Sequence, residues 1–195
     1  MRVIILAFFF LSSISFAQTN YTLHCSKKLL EASKDSALLQ LGIVEKTGKN
    51  DAPEIEKYLK STFTAKGNPY CAAAVYWCFF SAAIELKIPI AQIPIKRTAL
   101  ANAMFNDAAK RGAKAKYIPS EHSLIVWKYP NSCFGHIERI VSVGKAGWVE
   151  TIAFNVSAFS NEHGKEMQGV FLKKRNIYHA LGKMRIRGMI SFAWA

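Results

Sequence analysis

From Ser26 to Glu45 the apolar positions Leu29, Leu30, Ala37, Leu38, Leu41 and Val44 recur at roughly helical spacing, and Gly48 follows as a stop. The turn-forming run Thr47–Asp51 separates this segment from Pro53–Leu59, which predicts a short helix beginning near Asp51 or Ala52. Gly67-Asn68-Pro69 breaks the chain again and opens a third helix through Ala83; Thr98–Arg111 predicts a fourth. Beyond Gly112 the period shortens. Ser123–Lys128, His136–Val143, Trp148–Asn155, Val170–Arg175 and Met184–Phe192 are alternating or β-rich runs between Gly, Pro, Asn and Lys-rich turns. Helices first and strands second predict an α+β fold with a mainly antiparallel sheet, and no internal repeat or second domain boundary interrupts the pattern.

Composition adds a compartment. The stretch before Gln18 carries Arg2, a short apolar run and Ser15-Phe16-Ala17, the layout of a secretory signal. The run falls short of the ~20 residues a spanning helix needs. Residues 1–17 are therefore expected to be a signal peptide. Residues 18–195 then form one domain, secreted or periplasmic, with no stable membrane insertion after cleavage. At 51% hydrophobic and 20% charged, the chain can bury a core and is not disordered. Net charge is +13, and Arg2 is the only charge in the first 17 residues, so the basicity belongs to the remainder. A basic surface favours an anionic partner. The cations are scattered, with Lys173-Lys174-Arg175 the one local cluster; together with export, this argues against nucleic acid. Cys25, Cys71, Cys78 and Cys133 all follow the signal, in a compartment that permits disulfides, and three full pairings are open to them. No cysteine or histidine spacing suits zinc, so no metal is expected.

Cys71 carries the chemistry. Asn68 is a favoured helix cap, Pro69 suits the first helical position, and Cys71 follows in the first turn, where amide dipoles present their positive ends. The anionic sulfur is favoured there, and the thiolate is the nucleophile. Cys78, two turns on and nearly on the same face, reads as a core residue or half of a disulfide. A nucleophilic thiol needs a base, and the base an orienter. His24, His122, His163 and His179 read as surface residues. His136 follows Phe134-Gly135 and opens a β-branched strand where glycine permits close approach; it is either the base or a strand-edge histidine. In the next strand, alternation puts Val149, Thr151, Ala153 and Asn155 on one face and turns Glu150 away. Asn155 can then hold the His136 ring, although it also reads as a strand end or, in Asn155-Val156-Ser157, a glycosylation acceptor.

In order, these segments resemble the CHAP (cysteine- and histidine-dependent amidohydrolase/peptidase) domains of the papain-like peptidoglycan hydrolases. The resemblance rests on Gly42–Glu45 with Gly48–Asp51, Gly67–Val75, Gly135–Ile137, Thr151–Ser157 and Gly169–Ile177. It implies a papain-like fold in which Cys71 attacks an amide or peptide carbonyl of peptidoglycan, His136 takes and returns a proton, and Asn155 orients His136. Tyr70 and Asn68 would contact substrate, and the Cys71 N–H would be the first oxyanion donor. It implies no metal or organic cofactor. It makes the anionic wall the partner and leaves room for a protein inhibitor or immunity partner. Two departures stand out. Tyr70 replaces the usual Trp, and Ala153-Phe154-Asn155 lacks the acidic residue of the family's Glu-Gly-Asn-like triplet. The missing acid motivates one rival, a catalytically inactive wall-binding module; a secreted structural protein with every cysteine in a disulfide is another.

Overall fold

The computed structural model describes residues 18–160 and 164–194; the expected signal segment and His163 lie outside them. The chain runs β1 (Thr19–His24), α1 (Lys27–Leu38), α2 (Pro53–Ser61), α3 (Cys71–Glu85), α4 (Ala101–Arg111), β2 (Ala113–Ala115), β3 (Leu124–Lys128), β4 (Gly135–Val143), β5 (Trp148–Ser160), β6 (Lys165–Asn176) and β7 (Arg185–Ala193). All seven strands form one sheet in the order β2-β1-β7-β3-β4-β5-β6, parallel only between β1 and β7. The expected α+β class is the observed one. Two strands escape the sequence pattern. β2 has too few residues to show a period, and β1 is ordered by pairing with β7 at the far end of the chain, Thr19 opposite Gly188.

Helix boundaries follow local chemistry, with corrections at the end of α1 and at the start of α3. Ser26 caps α1, its hydroxyl accepting from the Leu29 N–H at 3.2 Å. The helix then stops at Leu38 rather than continuing to Glu45. Gly42 takes φ +84°, its N–H donates to the Val170 carbonyl, and Val44 bridges Gly169. Leu41 and Ile43 thus reach the core from a turn, which mimics helical spacing without a helix. α3 buries residues on every side, including Ala72, Ala73, Ala74 and Phe79, because it lies between the other helices and the sheet. Full burial of an aromatic such as Phe79 stabilises by roughly 1.5–3 kcal/mol.

A second, smaller core of Ile125, Trp127, Ile140, Val149, Ile177 and Met189, with Tyr117 and Leu181 packed against it, explains why Leu124–Trp127 is buried throughout. All four cysteines are free, which removes the reading of a disulfide-held structural protein. Burial pushes the Cys78 thiol up to about 12 and that of Cys25 to about 11, so neither is a ready nucleophile. His122 is a second correction. It is buried rather than superficial, with Nδ1 2.9 Å from an Arg139 guanidinium that also donates to Ser33 Oγ and the Leu30 carbonyl, tying α1 to β4.

Candidate active site

The nucleophile is prepared by the turn before it. Glu45 Oε2 accepts from the Asn50 N–H at 2.8 Å, and Asn50 Nδ2 donates to the Gly67 carbonyl at 3.0 Å, anchoring the segment that enters α3. The helix itself begins at Cys71. Asn68 is not its cap, since its Nδ2 turns back to the Ala65 carbonyl, and the first turn closes from the Ala74 N–H to the Tyr70 carbonyl at 2.8 Å. Cys71 is therefore the first helical residue, and its own N–H has no intrahelical partner. The residue is only 5% exposed, yet it lines an open cleft of about 320 Å³ with Asn68, Pro69, Arg97, Leu100 and Phe134. A separate concavity of about 530 Å³ around Trp148, Glu150 and Lys174 holds none of this chemistry.

His136 comes from the start of β4. A Cβ on Gly135 would lie 2.2 Å from the Trp127 carbonyl oxygen, so only glycine lets β3 and β4 close at this point. The His136 ring is 7% exposed and lies against Trp127, with ring centroids 6.1 Å apart. Its Nε2 is 3.0 Å from Glu138 Oε1, and the Cys71 thiol lies within hydrogen-bonding reach of the ring. Burial by itself would lower the ring's pKa. Hydrogen bonding and charge from Cys71 and Glu138 outweigh it and raise the value to about 10. The ring is thus lodged between a sulfur and a carboxylate, both of which favour its protonated form.

Glu138 is completely buried and fully partnered. Thr151 Oγ1 donates to Oε2 at 2.6 Å, and Arg175 donates from Nε at 3.1 and 3.0 Å and from Nη2 at 2.7 Å. Burial alone would raise the pKa of this carboxyl, but His136 and Arg175 hold it down at about 2.

The structure brings Cys71 and His136 together as expected and gives the orienting contact to a different residue. Among the described residues no hydrogen bond joins Asn155 to His136. The strand alternation that would aim Asn155 at the ring is interrupted by a bulge between Phe154 and Val156, where Asn155 takes φ +60°. Its backbone instead faces the Tyr70 hydroxyl.

Tyr70 also departs from expectation. It is fully buried, with its ring centroid 6.0 Å from that of Tyr58, so it supports the helix start from within and has no surface for substrate. Its hydroxyl and Glu45 Oε1 each lack a hydrogen bond of regular geometry, and burial together with Glu45 pushes the phenol pKa up. Asn68 does line the cleft, whereas Glu150 lies in the separate concavity.

Glu138 lies on the same strand as His136, whereas strand alternation points to an orienter on the next strand, β5. Its signal was the His-x-Glu spacing, which puts both side chains on one face of β4. Its register explains Ala153 as well. Ala153 is the Cα partner of Glu138, so an acid at 153 would set two carboxylates directly opposite each other. The charge that the resemblance assigns to β5 is supplied from β4.

A thiol, an imidazole and a buried carboxylate in contact at an open cleft can carry nucleophilic acyl transfer. The sequence model of the CHAP domain matches residues 63–155, a span running from just before the nucleophile helix to the bulge of β5. No curated protein and no solved structure matches the chain. That span holds all three groups, and the four helices on a mostly antiparallel sheet agree with a papain-like architecture. Residues 63–155 are thus a CHAP domain.

Proposed function

We propose that this chain is a thiol hydrolase acting outside the cytoplasm on amide or peptide bonds of bacterial peptidoglycan, with Cys71, His136 and Glu138 as its machinery. CHAP domains are generally cysteine- and histidine-dependent amidohydrolases or peptidases, which supplies the reaction class. The observation that carries the reading is the His136 ring lodged between Cys71 and Glu138 beside the cleft.

The Cys71 thiolate attacks the carbonyl carbon, forming a C–S bond while the carbonyl π pair moves onto oxygen. The Cys71 N–H is the nearest donor for that oxyanion. Protonated His136 gives its proton to the departing amine as the C–N bond breaks, leaving a thioester. Neutral His136 then takes a proton from water, and the hydroxide so formed displaces the sulfur. The products are a carboxylic acid, which passes its proton to solvent, and the original ion pair. Asn68, on the cleft wall, is a substrate contact in this reading, and the basic surface retains the enzyme on an anionic wall.

The rival reading, an inactive wall-binding module, rests on Ala153; the carboxylate of Glu138 opposite it removes that motive. Purified sacculi incubated with wild type and with Cys71→Ala decide the matter. Soluble fragments from wild type alone are expected, and their masses distinguish an N-acetylmuramoyl-L-alanine amidase from an endopeptidase. Equal release by both proteins would overturn the proposal. N-terminal sequencing of exported protein, with Gln18 as the first residue, tests the signal peptide.

A further inference from the structure

The run Lys173-Lys174-Arg175 reads in sequence as a solvated basic cluster, and the strand dismantles it. Lys174 faces outward. Lys173 Nζ donates to the Ser157 carbonyl at 2.6 Å, and the Arg175 side chain, 19% exposed, closes over Glu138 with three contacts of 3.1 Å or less. A guanidinium presents its donors in a rigid fork that matches a carboxylate, a fit that lysine lacks.

We propose that Arg175 is a positioning residue of the active site, which fixes Glu138 against the His136 ring and offsets part of its charge, so that Glu138 does not hold the ring's proton too tightly. The inference deepens the hydrolase reading and rests on it only for the turnover measurement. The ring meets Cys71 from α3, Trp127 from β3 and Glu138 on β4 itself; Glu138 in turn is met by Thr151 from β5 and by Arg175 from β6, with Lys173 further out. Thr151 and Trp127 do not titrate. Arg175 and Glu138 together carry no net charge, so Arg175 weakens the pull of Glu138 on the ring's proton and leaves the sulfur as the second group that favours it. Without Arg175, Glu138 alone would keep the ring protonated, and the ring would give its proton less readily to a departing amine.

The experiment follows the His136 ring by NMR across pH in Cys71→Ala protein, with and without Arg175→Met, and measures sacculus cleavage by Arg175→Lys with Cys71 present. Loss of the arginine charge is expected to raise the ring's titration midpoint by about one to three pH units, the range for an opposite charge freed at contact distance. Arg175→Lys keeps the charge but loses the fork, and should cut turnover by about 10- to 100-fold with KM little changed. An unmoved midpoint in Arg175→Met, or full turnover in Arg175→Lys, overturns the proposal. Should Arg175→Met not fold, the turnover of Arg175→Lys decides alone. The titration needs no substrate, so it can fail while sacculi are still cleaved, and can succeed where no bond is cut.

Discussion

Glu138 and Asn155 compete for one role, and a neutral substitution separates them. Glu138→Gln keeps the shape and removes the charge beside the ring; we expect kcat to fall by about 10²- to 10⁴-fold, read as the rate of fragment release from sacculi. Asn155→Ala should cost much less, and Glu150→Ala nothing measurable, because neither side chain bonds to His136. The same carboxylate predicts an acid limb of stability. Its folded pKa lies below the ordinary value, so its contribution is present above about 4.5 and is lost as pH falls through about 2. His136 works in the opposite direction: its pKa is raised, so its contribution is complete below about 6.5 and is lost as pH rises through about 10. Urea midpoints measured across pH should therefore fall at both ends, with the acid fall flattened in Glu138→Gln.

At the scale of elements, the site depends on two junctions. The first is the start of β4, where a Cβ at Gly135 meets the Trp127 carbonyl at 2.2 Å. Gly135→Ala must part β3 from β4; about 1–3 kcal/mol of stability should be lost by chemical denaturation, together with a disproportionate loss of turnover as His136 shifts. The second is the cap of α1. Ser26→Ala should cost about 0.5–2 kcal/mol and leave turnover per folded molecule unchanged, since α1 contributes nothing to the cleft. The pair distinguishes damage to the site from damage to the fold.

The molecule as a whole carries a net charge of +13, and its proposed substrate is an anionic polymer. Retention on sacculi should weaken as ionic strength rises from 0.01 to 0.15 M, where the screening length shrinks from about 30 to about 8 Å. Cleavage of a short, weakly charged wall fragment should change far less, because the reacting groups are buried beside the cleft and poorly screened. Sedimentation with sacculi and turnover of the soluble fragment measure the two effects separately.

Local chemistry was enough to determine four helices, the α+β class, a cysteine at a helix start and a histidine at a strand start. Caps, glycines and the hydrophobic period act over a few residues, and the sequence records them directly. The remaining features belonged to the tertiary structure. Glu138, and not Asn155, meets the His136 ring, because a bulge breaks alternation in β5. Tyr70 turns inward because Tyr58 and Glu45 close around it. Arg175 leaves a basic run to cover a carboxylate two strands away in the sheet, and β1 is ordered by a strand at the far end of the chain. Each of these depends on which residues a register sets side by side, and register is a relation between distant segments that neither segment carries alone.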